Sequence, residues 1–404
     1  MACVGTITNM KANPGGPVTG NAIIGREKEI SQIWRRLQIR SVLLASERRV
    51  GKTCVLRKMA DHPVDGWTPV QAFVESARHP IECVEKIYTE ANEMEVRSSK
   101  GVWLGRIKSA LQSMAGSEIA GLKFPPIQKN WKQLLDALAE DIAENMDKRV
   151  LIMVDEFPLM VNNVIEDHGP GLGMEVLDSL REIRQKYEPS GRVRFVLSGS
   201  IGLHLVIQHL RREHGYKGAP TNDMAQEVLS GMTIDDTELM CQRLLDEEGV
   251  RRMGPAEVRQ RMFEATDGLP HFIQHVCEQI QRSGVGHVTP EDIDRIVREL
   301  LDDPAVQGFR DAADRIETYY KRLHVNEVAF HILKMLCYEE DLVREEDILD
   351  YVRSQMVVGQ DRLILSTLEW LRDDHYIIRD TATGERRYRF RYRIMRQWWQ
   401  INQG

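Results

Sequence analysis

Ser41–Leu56 reads SVLLASERRVGKTCVL, and its interpretation decides how the rest of the chain is read. A short apolar run leads into a polar turn, then Gly51-Lys52-Thr53, then a second run rich in apolar residues. That order predicts a buried strand, a tight loop and a helix start. A loop opening onto a helix N-terminus presents backbone N–H groups and the positive end of the helix dipole to an anion. In the spacing G-x-x-x-x-G-K-[ST], Lys52 is expected to reach the β- and γ-phosphates of a triphosphate and Thr53 to ligate Mg²⁺. Gly51 lets the backbone approach closely. Ser46 stands where the first glycine of the pattern falls. Glycine there eases the turn but makes no contact that only glycine can make. A triphosphate site over Ser46, Glu47, Arg48, Arg49, Val50, Gly51, Lys52 and Thr53, with Cys54 following, is therefore expected.

A second stretch, RVLIMVDEFP, lies roughly 100 residues downstream. A buried strand there delivers Asp155 and Glu156 to the carboxyl edge of a sheet. Asp155 is expected to hold Mg²⁺, and Glu156 to accept a proton from an attacking water or to orient it. Alone, either stretch has an ordinary structural explanation; together they are hard to obtain by chance. RVRFVLSGS predicts another strand of the same sheet, with Ser198 and Ser200 at its exit, placed to touch a γ-phosphate or the lytic water. Polar residues also end strands for local reasons. In LVIQHLRREHG, Arg211 and Arg212 close the following helix. They are candidates for an arginine reaching a neighbouring subunit's γ-phosphate, or simply cations at a helix C-terminus. In ATDGLPHFIQHV, Pro270 and His271 open a helix, either as a lid that senses nucleotide or as plain initiation by proline.

The bulk properties set bounds. A chain of 404 residues is long for one domain. Its 42% apolar and 28% charged residues are those of a soluble globular protein. A net charge of −7 opposes non-specific attraction of the whole surface to nucleic acid or anionic membrane. No apolar run approaches the ~20 residues of a membrane span, and the N-terminus lacks a signal-peptide pattern. The six scattered cysteines fit reduced thiols in a cytoplasmic protein. The histidines show no metal-ligand spacing.

Along the chain, apolar strands alternate with amphipathic helices up to about Met232, which indicates a parallel sheet covered on both sides. The Gly/Pro-rich EDHGPGLGM is expected to be an exposed loop, and GLKFPP an extra strand and turn. Helices follow from Thr233; in VTPEDIDRIVRELL, Thr289 is the expected N-cap, with Pro290 and Asp292 behind it. From about Asn326 come three helices and a hairpin, the pattern of a winged helix. The expected fold is α/β: a P-loop NTPase with a parallel sheet flanked by helices, then a helical lid and a winged helix. The expected divisions are a flexible arm over 1–20, the P-loop domain over 21–232, the lid over 233–323 and the winged helix over 324–404.

Taken in order, IIGREKEISQI, SERRVGKT, LIMVDE, FVLSGS and DGLPHFI resemble the AAA+-related P-loop ATPases, specifically their STAND and archaeal-ATPase branch. The C-terminal YRFRYRIMRQWW is similar to the end of the winged helix in that branch. The resemblance implies an adenine-side motif on Ile24, Gly25, Arg26 and Glu27, a Walker A on Ser46–Thr53 and a Walker B on Asp155 and Glu156. It implies sensor 1 on Ser198 and a Gly-x-Pro lid motif on Gly268 and Pro270. Where initiator-type relatives place a sensor arginine, this chain has Pro270 and His271. Members of the branch often lack the first Walker A glycine. ATP and Mg²⁺ are the implied cofactors, a homo-oligomer or protein partner the implied contact, and signalling or antiviral defence a role by analogy.

The leading expectation is thus a Mg²⁺-dependent ATPase switch whose nucleotide state controls assembly or partner contacts. A second is an ATP-controlled DNA-binding regulator, or a replication or transposition accessory, acting through the winged helix. RRYRFRYR alternates Tyr388, Phe390 and Tyr392 with Arg389, Arg391 and Arg393, giving one aromatic and one basic face. However, the recognition helix DRLILSTLEWLRDDH carries Asp361, Glu369, Asp373 and Asp374 against Arg362 and Arg372, which suits a major groove poorly. A third reading is a nucleotide-locked scaffold with negligible turnover.

Overall fold

Arg149–Asp155 is buried at six of its seven positions. Such a strand can sit only where both faces of a sheet are covered. In the computed structural model it is a central strand of a five-stranded sheet. The structure describes residues 12–16, 18, 20–97, 104–115, 131–145, 148–199, 202–245, 256–356 and 361–403; GLKFPP and Ser200 lie outside them. Of the described residues, Glu27–Ala45 and Lys52–Val228 form one compact unit. Those up to Arg26, those of Ser46–Gly51 and those from Leu229 onward form the other.

The first unit runs α1 (Glu27–Leu37), β1 (Val42–Ala45), α2 (Lys52–Asp61), β2 (Trp67–Phe73), α3 (Pro80–Arg97), α4 (Gly105–Ala115) and α5 (Trp131–Asn145). It continues with β3 (Arg149–Asp155), α6 (Phe157–His168), α7 (Pro170–Tyr187), β4 (Val193–Ser198), α8 (Leu203–His214) and β5 (Ala225–Val228). The strand order is β2-β3-β4-β1-β5, and every pairing is parallel. Helices flank the sheet, and their apolar faces close on it: Val176, Leu180 and Ile183 of α7 are all buried, as the helical spacing predicts. Pro69, which cannot donate to a ladder, lies on edge strand β2. The register pairs Leu44 with Ser198 and Val154 with Leu197. Because the strands are parallel, the ends of β1, β4 and β3 emerge at one edge. β4, carrying Ser198, stands between the strand that precedes the Gly-Lys-Thr turn and the strand that ends in Asp155.

One expectation fails here. EDHGPGLGM is not an exposed loop; it is the end of α6, a one-residue break at Gly169, and the start of α7. Gly169 turns the chain with φ 88°, a conformation that favours glycine, and Pro170 restarts the helix at a position with no N–H to lose. Gly173 lies inside α7 because a Cβ there would stand 2.4 Å from Ile165 Cγ1. These glycines serve helix packing and not loop flexibility.

The second unit holds α9 (Ile234–Leu245), α10 (Ala256–Thr266), α11 (Pro270–Ser283), α12 (Pro290–Asp302) and α13 (Gln307–Arg315), the last running on through a π-helical turn, Ile316–Tyr320. Thr289 caps α12 in a full capping box with Asp292, as expected. There follow α14 (Asn326–Cys337), β6 (Val343–Arg344), α15 (Glu345–Gln355), α16 (Asp361–Asp373), β7 (Ile377–Asp380), β8 (Arg387–Phe390) and α17 (Arg393–Asn402). β8 lies between β6 and β7, antiparallel to both. Tyr388, Phe390 and Tyr392 are buried, so the aromatic face of the expected hairpin is core. The strand is shorter than RRYRFRYR suggests: it stops at Phe390, and Arg393 already begins α17. The Asp267 carboxylate accepts the Ile394 N–H at 2.8 Å and so caps the new helix. Phe272 stacks on Phe309 (centroids 4.4 Å apart) and Phe309 on Trp398 (5.9 Å), joining α11, α13 and α17. Arg315 and Asp374 form a buried ion pair.

Burial pushes the Asp267 carboxyl up to about 6, against the lowering effect of the Ile394 and Arg393 N–H groups. An acid with a higher pKa folded than unfolded takes up a proton on folding. Its contribution is therefore complete below the ordinary value of 3.8 and is lost as pH rises through about 6. Thermal melts of the wild type and Asp267→Asn across this range should show the wild type losing stability relative to the variant as pH rises.

Candidate functional site

The sheet edge in the first unit gathers Lys52, Thr53, Asp155, Glu156 and Ser198 of the expected residues. Thr53, in the first turn of α2, donates its hydroxyl to Asp155 Oδ2 at 2.7 Å, across 102 residues of sequence. Asp155 is almost fully buried at the end of β3. Its other oxygen accepts the Glu156 N–H at 3.1 Å. Lys52 is the first residue of α2 and is 7% exposed, unusually deep for a lysine. Ser198 closes β4 with no exposure, and its Oγ finds no hydrogen-bond partner among the described residues. A buried hydroxyl of that kind costs stability unless something else satisfies it. A hydroxyl and a carboxylate in contact are a hard, all-oxygen donor pair of the kind Mg²⁺ takes. A buried amine and an orphan hydroxyl beside them suit the oxygens of a phosphate chain. The residues fit the expected group.

Glu156 adopts a left-handed conformation, φ 59° and ψ 30°, at the start of α6. For a non-glycine residue this is costly, about 1–3 kcal/mol, and it persists only where the surroundings impose it.

The remaining loop residues belong to the second unit, and here the structure explains the departure at Ser46. Its Oγ accepts the buried Leu229 N–H at 2.7 Å. The loop then turns through two left-handed residues, Arg49 (φ 68°) and Gly51 (φ 98°). Ser46→Gly would restore the usual pattern yet leave a buried amide unpaired. It is expected to destabilise the fold by about 1–3 kcal/mol, read from denaturant unfolding.

Arg26, expected on the adenine side, is 3% exposed and ties two backbone carbonyls together, Val50 O at 2.7 Å and Ser230 O at 2.8 Å. Ile24 is core, and at Gly25 (φ 67°) a Cβ would stand 2.5 Å from the Asp236 carboxyl carbon. Val50 is fully buried, while Cys54 on α2 is half-buried. Arg48 and Arg49 both pair with Asp311 of α13, at 3.2 and 3.3 Å. Glu47, Arg48 and Arg49 form one wall of a small cavity, about 50 Å³, that Phe272, Tyr392 and Trp399 close. Asn13 donates its N–H to Gln274 Oε1 at 3.0 Å, tying that part of the N-terminal arm to α11. Nothing in the local sequence marks Asp311 as a partner of Arg49; the two are 262 residues apart.

Pro270 starts α11 and His271 follows it. His271 is 6% exposed, and α13 passes so close that a Cβ on Gly308 would meet His271 Cδ2 at 2.8 Å. Burial, with His275 and Arg49 nearby, depresses its pKa to about 3, so it is a neutral imidazole near pH 7. Arg211 and Arg212 lie in the last turn of α8, roughly 12 Å along the helix axis from its start at the sheet edge. Arg211 donates to Gly218 O at 2.9 Å. The structure does not bring these two arginines to the Thr53–Asp155 pair.

No protein-family model matches the sequence, and no curated protein matches it. Solved structures do. A Walker-type ATPase of Pyrococcus abyssi superposes with TM-score 0.60 at 15% identity, over 95% of this chain and 98% of that one. The ORC2 protein of Aeropyrum pernix, solved as ADPNP–ADP complexes, superposes with TM-score 0.52 at 12% identity, over 93% of this chain and 91% of that one. At these identities the likeness is one of fold. The chain has the P-loop ATPase fold that its motifs imply, with a helical C-terminal region. No helix among the described residues is long and apolar enough to cross a membrane.

Proposed function

We propose that the protein is an AAA+-type, Mg²⁺-dependent ATPase that works as a nucleotide-controlled switch. The observation that carries the reading is the Thr53–Asp155 hydrogen bond, 2.7 Å between two motifs 102 residues apart, beside buried Lys52. In this reading Thr53 and Asp155 would hold the cation, which would supply neutralisation of the phosphate charge. Lys52 and the N-terminus of α2 take up the remaining phosphate charge. Glu156 orients the attacking water and accepts its proton. Ser198 donates its hydroxyl to the γ-phosphate or to that water. Phosphate release in Mg²⁺ against EDTA tests the reading: turnover in Mg²⁺ and none in EDTA is expected, and equal rates would refute it.

The switch is read from the second unit. Arg48 and Arg49 of the phosphate loop are paired with α13, and α13 carries Arg315, which pairs with Asp374 at the end of α16. A change at the loop on nucleotide binding would thus bear on the C-terminal helices and sheet, read as a lid and a winged helix of the STAND and archaeal-ATPase kind. Assembly or partner binding, in signalling or defence, is the output this favours.

A DNA-binding role has one specific support. The carboxylates of α16 are neutralised within the unit, Asp361 by Arg353, Glu369 by Arg379, and Asp373 by Arg372. Arg389 and Arg393 remain exposed beside a cleft at the end of β8. If duplex DNA is the partner, removing both arginines should lower the slope of log K against log salt by about 2. Salt-independent or absent DNA binding would remove this reading.

A further inference from the structure

We infer that Gly199 is a positioning residue for Glu156. The inference rests on the proposal that Glu156 orients the attacking water. Gly199 follows β4 directly, and its backbone is not left-handed, so conformation alone does not call for glycine. Space does. A Cβ at this position would stand 2.4 Å from Pro158 Cδ, 3.0 Å from Pro158 Cγ and 3.5 Å from Glu156 Cα. The first distance is impossible without movement, and the proline ring, whose Cδ is bonded to the backbone nitrogen, has no rotamer to escape into. A side chain at 199 must therefore displace the start of α6.

Glu156 sits at that start, two residues before Pro158, in its left-handed conformation. Two further contacts hold it there. Its N–H donates to Asp155 Oδ1 at 3.1 Å, and its carbonyl accepts the Met160 N–H at 3.1 Å. The missing side chain at Gly199 leaves room for the Pro158 ring, so α6 can start where it does and the carboxylate-bearing residue keeps its place relative to β4, whose last residue is Ser198. Displacing α6 moves Glu156 while Thr53 and Lys52, on α2, stay in place. The loss should then fall on turnover and leave nucleotide affinity intact, the split that separates positioning from general damage.

The experiment compares wild type, Gly199→Ala, Pro158→Ala and the double variant for steady-state ATP hydrolysis and for equilibrium binding of a fluorescent ATP analogue. An ångström-scale misplacement predicts a fall in kcat of about 100-fold in Gly199→Ala. Binding should stay within about twofold of wild type. Pro158→Ala removes the atoms that Cβ would strike, so the double variant should recover most of the lost kcat, and Pro158→Ala alone should behave nearly as wild type. Wild-type kcat in Gly199→Ala, or a double variant as slow as Gly199→Ala, would overturn the inference. So would a Gly199→Ala variant that fails to fold and is not restored by Pro158→Ala. Wild-type hydrolysis that Glu156→Gln leaves untouched would instead remove the role of Glu156, and the positioning with it.

Discussion

Lys52→Ala is expected to weaken ATP binding by about 100-fold, close to 3 kcal/mol, the scale of a lost charge-assisted hydrogen bond in a desolvated site. A lysine only 7% exposed at the first position of a helix has given up most of its hydration. At the helix N-terminus, where the dipole favours negative charge, such an amine is placed to bind an anion. Truncation removes the charge without filling the space, and Thr53 and Asp155 alone cannot balance a triphosphate. Equilibrium titration checks this, with circular dichroism to establish that the variant is folded. Wild-type affinity in a folded Lys52→Ala would show that phosphates bind elsewhere.

Glu156→Gln should do the opposite: binding kept, turnover lower by about 10²–10⁴, the usual worth of a positioned general base. Glutamine preserves the shape and the backbone geometry but cannot take a proton. Asp155 and Thr53 remain paired, so the proposed cation site is untouched. Phosphate release under saturating ATP measures it. A fall of less than about tenfold would indicate that Glu156 is not the base.

The sheet edge was legible because its signals are local. A buried parallel strand must be almost continuously apolar, and where it leaves the core it turns polar, so SVLLA, RVLIMVD and RVRFVLS each announce an end. The parallel arrangement then brings those ends together without further information. The roles of Ser46 and Arg26 were not legible, because their partners, Leu229, Ser230 and Val50, are backbone groups whose positions depend on the whole fold. The family resemblance puts Arg26 on the adenine side; the structure adds that it is buried and tied to two backbone carbonyls. The helix break at Gly169 was misread for a related reason. Gly and Pro report only that the local backbone is unusual, and a one-residue break between packed helices has the same composition as a loop. β6, at two residues, is too short to leave a periodicity.

Thr53 and Asp155 are proposed to form a cation-dependent phosphate site. The most direct measurement is the affinity for a fluorescent ATP analogue with and without Mg²⁺, in wild type and Asp155→Ala. The expected result is binding that Mg²⁺ tightens in wild type and does not tighten in the variant. Affinity indifferent to Mg²⁺ in both, or no nucleotide binding by a folded wild type, would contradict it.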